Sequence, residues 1–310
     1  MAQPTESILK VMAYFDTFNY PVTIEEISSF LDQPIQRETL HTALQSLLDK
    51  QLIWDLGQFY SLKNDPDLQE KRLNGNKRAV KQLKYAMRVS LVLSWFPFIR
   101  GVAISGSLSK NIAYKNSDLD FFIITATNRL WIIRTFMLML VRGFAFIGSR
   151  CICLNYFLDD QALEIEEKNI FTAIEIATLL PVRGIHSFES FFSANRWIFE
   201  YLPNARLKKM PEKELYSGLL KRGIEWLFNN QLGDKIDNWL LQYFSRRWEK
   251  VLVLRKAFPN GFLRGAISIG KHFYKPTPYD FQQKVLSKFQ ERMNNVKAQH
   301  DLSLTSSLVK

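Results

Sequence analysis

Apolar residues recur three and four positions apart through the first fifty residues, and then the period changes. Residues 7–18 have helical spacing. Thr23 stands just before Ile24-Glu25-Glu26, so it reads as an N-cap, with Glu26 as the returning carboxylate of a capping box on a second helix. A third helix is expected over 36–50, with Leu40, Leu44, Leu47 and Leu48 on its inner face. Leu52-Ile53-Trp54 and Phe59-Tyr60-Ser61-Leu62 flank Asp55 to Gln58 as two short strands and a turn. A basic helix carrying Lys71, Arg72, Lys77, Arg78, Lys81, Lys84 and Arg88 leads into three runs that read as strands. These are Val102-Ala103-Ile104, then Leu119 with Phe121 to Ile124, and finally 151–158. From about Glu189 the pattern is helical again, over 191–201, 212–229, 235–256 and 278–296. Breaks fall at Pro203-Asn204, Leu232-Gly233-Asp234 and Pro259-Asn260-Gly261.

Between the first two strands lies the most informative chemistry of the chain. Gly106-Ser107 reads as a turn into a short helix, and after a spacer Asp118 and Asp120 stand two apart at the head of the next strand. Side chains two apart on a strand leave the same face of the sheet. Two carboxylates that close repel each other unless a divalent cation lies between them, which asks for Mg²⁺. The plainer alternative is a turn serine and a solvated Asp pair, since Asn116-Ser117-Asp118 is also good turn chemistry.

Gly106, Ser107, the spacer 108–117 and Asp118-Leu119-Asp120-Phe121 resemble the signature of the DNA polymerase beta-like nucleotidyltransferase superfamily. Ser105 departs from the apolar residue that the pattern prefers before its glycine. The resemblance covers roughly 80–180 and implies an α+β core with a mixed sheet. It implies that Gly106 and Ser107 hold the triphosphate of an NTP, with glycine letting phosphate oxygens approach the backbone. Asp118 and Asp120 would then bind Mg²⁺ or Mn²⁺ during transfer of a nucleoside monophosphate to an acceptor hydroxyl. Active members carry a third acid on a neighbouring strand. The strand expected to supply it, 151–158, offers Asn155 at that place, with Asp159, Asp160 and Glu164 just beyond it. Asn155 is a neutral oxygen ligand and no general base, so a catalytically weakened nucleotide-binding or interaction protein is the second reading.

Three helices and a two-stranded wing at the N-terminus resemble a winged helix-turn-helix. Residues 1–62 hold three basic and eight acidic side chains, a net of −5, which suits protein docking better than a grip on DNA phosphates. DNA-binding regulation by this module, through the exposed Arg37, Glu38, His41 and Gln45, is the third reading. The positive charge lies elsewhere: nine basic against three acidic over 63–100, and twenty against nine over 201–310. The basic helix is either a solvated face or an electrostatic surface for a nucleotide or nucleic-acid substrate.

Cys151 and Cys153, the two cysteines of the chain, are badly placed for a disulfide and read as buried thiols of a cytoplasmic protein. No secretory leader is evident at the N-terminus. The apolar stretch 130–147 is interrupted by Arg134 and Arg142, so membrane insertion is not expected; either arginine would snorkel to the surface or reach towards phosphate. The expected organisation is a winged-helix-like domain over 1–64, a nucleotidyltransferase core over 65–185 and a mostly helical domain over 186–310. The acceptor (an RNA end, an aminoglycoside-like small molecule, a sugar phosphate or a protein hydroxyl) is left open, as is a protein partner for the winged helix.

Overall fold

The computed structural model describes residues 3–115, 117–145, 152–208, 215, 217–257, 268–275 and 279–308. The N-terminal module comprises α1 (Pro4–Asp16), α2 (Ile24–Phe30), α3 (Arg37–Asp49) and an antiparallel pair, β1 (Trp54–Asp55) and β2 (Tyr60–Ser61). Thr23 caps α2 as the sequence predicts: its side chain accepts from the Glu26 amide, and the Glu26 carboxylate accepts from the Thr23 amide at 2.9 Å. Arg37, Glu38, His41 and Gln45 are exposed on α3.

The long basic helix α4 (Pro66–Ser94) starts with Pro66 at its first position and Asp65 as its cap. It is followed by β3 (Ile99–Ile104), α5 (Gly106–Ser109), β4 (Leu119–Thr125), α6 (Leu130–Ala145) and β5 (Ile152–Asp159). Then come α7 (Ile170–Thr178), β6 (Leu180–Arg183), α8 (Ile185–Ala194), α9 (Ile198–Tyr201), α10 (Leu219–Phe228) and α11 (Gln231–Ala257). The last elements are β7 (Ser268–Ile269), β8 (Phe273–Lys275) and α12 (Tyr279–Leu308). The fold is α+β around a mixed sheet in the order β6-β3-β4-β5-β8-β7, in which only the β4–β5 pair is parallel.

Both faces of this sheet are covered, which is why its strands read as near-continuous apolar runs. Val102, Ile104, Leu119, Phe121 and Ile123 point to the side packed by α4 and α6. Ala103, Phe122 and Ile124 point to the side packed by the N-terminal module, α7 and α8. Asp120 shares the parity of Phe122 and Ile124, so it faces the second side. Parity breaks once, in β5. Phe121 pairs with Leu154 but Phe122 pairs with Tyr156, so Asn155 is the extra residue of a bulge. That bulge turns Tyr156 onto the side of Phe122, where the two rings stack with centroids 5.2 Å apart.

Residues from 186 onward are mostly helical, yet they are not set apart from the core. Strand β8 pairs with β5 through Phe157–Tyr274 and Leu158–Phe273, extending the sheet. Helix α12 packs back on α1, with ion pairs Arg292–Asp16 and Lys297–Glu6 at 2.8 Å each. A three-residue strand such as β8 is too short to show a period, so the sequence reading passes over it. The break expected at Pro259-Asn260-Gly261 lies outside the described residues, as does Cys151. Trp226, Trp239 and Tyr243 are exposed on α10 and α11, whereas Tyr274 is buried.

Helix α6 lies against the sheet, burying Trp131, Ile133 and Met137. Among the described residues no helix is long and apolar enough to cross a membrane. Arg134 neither snorkels nor turns to the Gly106 loop. It is buried, its guanidinium 3.8 Å from the Tyr274 ring centroid and 4.5 Å from that of Phe244. The rings of α11 and β8 give the cation a nearer favourable partner than water. Asp237 of α11 caps α6 from outside: its Oδ1 accepts from the amides of Trp131 and Ile132 at 2.8 and 2.9 Å.

Candidate functional site

Gly106 opens α5 with φ +66°, a left-handed conformation that favours glycine. A Cβ there would fall 2.1 Å from Asp120 Oδ2. The close approach that demands glycine is therefore made by the Asp120 carboxylate of the neighbouring strand, whereas the sequence reading assigns it to phosphate. The Ser105 amide donates to the Asp120 carbonyl at 2.9 Å, which locks the loop to the head of β4. Replacing Gly106 by Ala should destabilise the fold by about 2–3 kcal/mol, combining left-handed strain with displacement of the carboxylate. In an Asp120→Ala background the same change should cost only the strain. Thermal unfolding of the four proteins of this double-mutant cycle measures the coupling, and additive losses would contradict the contact.

The Gly106 loop opens on a cavity of about 480 Å³. Gly106, Ser107, Asp120 and Asn155 all line it, so the structure brings together four of the residues singled out in the sequence. Asp118 is exposed beside them, outside the lining, and its charge helps to hold a proton on Asp120. Burial is the largest cause of that shift: it raises the Asp120 carboxyl to about 6, with Asp118 and Glu175 pushing the same way. A hydrogen bond from the Cys153 thiol opposes it. Cys153 is the residue paired with Asp120 across the parallel ladder, so a thiol, and not Asn155, stands directly beside the aspartate.

Asp159 lies elsewhere. It pairs with Thr125 at the far end of β5, fully buried, and accepts from the Asn128 and Gln161 amides at 2.6 and 2.8 Å. Those bonds make it a clamp on the turn into α6, away from Asp120. Asp160 accepts from Thr127, and Glu164 pairs with Lys168; neither lines the cavity.

The acid that does line it is Glu175, from α7, which the sequence reading passes over. It pairs with Lys110 at 2.8 Å and lies near enough to raise both Asp120 and Tyr14. One signal was available: Glu175 is the single charged residue in the helix Ile170–Thr178, which is otherwise apolar or Thr. With Thr172, Ile176 and Leu179 it forms one helical stripe facing the cavity. The N-terminal module supplies the opposite wall through Phe15, Phe18 and Tyr20. Tyr20 Oη lies 2.8 Å from Glu26 and 3.0 Å from the Lys110 carbonyl, tying that wall to α5. The exposed cations of α4 (Lys71, Lys77, Arg78, Lys81, Lys84 and Arg88) do not reach the cavity.

The Asp120 carboxylate with Asp118 beside it, and a neutral amide oxygen from Asn155 on the same cavity, are a hard-oxygen donor set that fits Mg²⁺. That ion characteristically takes one or two protein carboxylates and completes its shell with water and phosphate. Among the described residues no group of three or more His, Cys, Asp or Glu surrounds a common point.

The raised carboxyls make stability depend on pH. Asp120 and Asp237 both stand at about 6, each chiefly through burial, against an ordinary value near 4 in the unfolded chain. The folded state therefore holds extra protons between these values. The stabilisation they confer is complete below pH ~4 and lost as pH rises through ~6. The melting temperature should fall between pH 5 and 7.5. Asp237→Asn, whose amide oxygen can still accept both capping bonds, should flatten part of that fall. A melting temperature that climbs over this range in both proteins would contradict it.

Comparison of the chain with family models, with curated proteins and with solved structures gives no match.

Proposed function

We propose that the chain is a nucleotidyltransferase that moves a nucleoside monophosphate from an NTP to an acceptor hydroxyl. The observation that carries this reading is the convergence of Gly106, Ser107 and Asp120 on one cavity, with Asp118 beside it. The backbone at Gly106-Ser107 and the Ser107 hydroxyl would receive the phosphates. Asp118 and Asp120 would hold Mg²⁺, which supplies charge neutralisation on the phosphate oxygens when bound. The acceptor oxygen attacks the α-phosphorus, its bond forming as the bond to pyrophosphate breaks. The acceptor's proton passes to Glu175, the lining carboxylate that remains once Asp120 is committed to the cation. Lys110, already paired with Glu175, orients that carboxylate.

The direct test is pyrophosphate release with each of the four NTPs and Mg²⁺ or Mn²⁺, offering RNA, small metabolites and protein as acceptor pools. Release above the no-acceptor control supports the reading and identifies the pool. A second reading, a nucleotide-sensing protein of weakened activity, rests on Cys153 standing opposite Asp120 in β5 and on Asn155, a neutral amide, lining the cavity. NTP binding without pyrophosphate release from any pool would favour it.

A further inference from the structure

The cavity beside Asp120 has a chemical character of its own. Aromatic rings recur around its walls: Phe15 and Tyr20 from the N-terminal module, the Phe122–Tyr156 stack on the sheet, and Phe171 from α7. Its volume of about 480 Å³ suits a small molecule. Its two cations are both engaged, Lys110 with Glu175 and Lys275 with Glu167 and Gln282. A phosphate-bearing RNA end, unlike a triphosphate neutralised by Mg²⁺ at the Gly106 loop, would meet no uncommitted lysine or arginine among the described lining residues. A polycation would find two lining carboxylates there, one of them already paired.

Two polar groups in these walls are left over. The Ser105 and Thr172 side chains are 7% and 6% exposed, and neither hydroxyl has a hydrogen-bond partner. Both residues line the cavity, Ser105 beside Gly106 and Thr172 one helical turn from Glu175. Buried hydroxyls without partners are costly, so two of them on one cavity mark where a ligand's polar atoms sit. Ser105 is also the residue that departs from the apolar preference at its place in the motif.

We propose that this cavity is the acceptor pocket and that the acceptor is a compact, uncharged, ring-bearing alcohol or phenol. Its rings lie against the Phe122–Tyr156 stack, and its polar atoms bond to Ser105 and Thr172. Its role as acceptor rests on the transferase reading; its ligand class rests on the cavity alone. The hydroxyl is delivered between Asp120 and Glu175, the two acids of the lining.

The test uses the full chain and 2-naphthol as probe, titrated by calorimetry with and without saturating ATP and Mg²⁺. Saturable one-site binding is expected, with an affinity that ATP changes by less than about twofold. Ile176→Trp, which fills the cavity, should weaken 2-naphthol at least tenfold. Ser105→Ala/Thr172→Val keeps the volume and removes both hydroxyls, and should weaken it roughly fivefold or more. The second variant decides the matter if the first does not fold. No saturable binding, an affinity unchanged in the folded variants, or competitive displacement by ATP would overturn the proposal; displacement would assign the cavity to the nucleobase. ATP that binds while 2-naphthol does not removes the ligand class alone. If 2-naphthol binds and ATP does not, the transferase reading falls and the ligand class stands.

Discussion

Pyrophosphate release should drop on the order of a thousandfold or more when Asp118 and Asp120 are both changed to Asn, while the protein melts no lower than the parent at pH 7.5. The two halves of this expectation come from one property. Burial and the charge of Asp118 hold the Asp120 carboxyl at about 6, so at pH 7.5 the ionised group costs folding free energy. Asparagine removes that cost and retains an oxygen to accept from the Cys153 thiol. An aspartate kept for structure would show the reverse pattern, with stability lost and activity following it. Retained release in the double variant would sink the assignment of these residues, and a large fall in melting temperature would sink the account of why they are strained.

The second large effect concerns the joint between the N-terminal module and α4. Arg72 is 3% exposed, and its guanidinium donates to Glu26 at 2.7 Å and to the Pro21 carbonyl at 3.2 Å. It also stacks on the Tyr20 ring at 3.6 Å. Arg72→Met should cost about 2–4 kcal/mol, because the Pro21 carbonyl loses its donor and Glu26, which burial already pushes up to about 7, must take up a proton once its cation is gone. Arg72→Met/Glu26→Gln should recover part of the loss, since glutamine removes the buried acid while its side-chain oxygen can still accept from the Thr23 amide. Denaturant unfolding of the two single variants and the pair measures this. A loss under about 1 kcal/mol for Arg72→Met would place the contact with exposed surface pairs instead.

Much of this arrangement was legible in the residues, and the parts that were not share a cause. The capping box at Thr23 and the helix behind it depend on neighbours three positions apart, so the sequence carries them whole. The α+β class and the alternation that puts Asp120 on a covered face of the sheet follow from local period as well. What escaped depends on pairing across the chain. The bulge at Asn155 resets the parity of β5, so which residue stands beside Asp120 could be known only from the register. Glu175 reaches the cavity because α7 packs over the sheet, and no spacing within 170–178 says where that helix lies. Arg134 follows the same rule: its aromatic cage is built by Phe244 and Tyr274, more than a hundred residues away. The basic helix offered a charge pattern that was easy to read and sits away from the cavity, with Arg72 alone turned inward.

The cavity walls have a consequence for how the protein comes into being. Phe15 and Tyr20 leave the ribosome before Asp120 and Glu175, and Phe281 follows all four. No nascent fragment that lacks α12 owns the complete pocket. The lining is thus complete only after synthesis has passed Phe281.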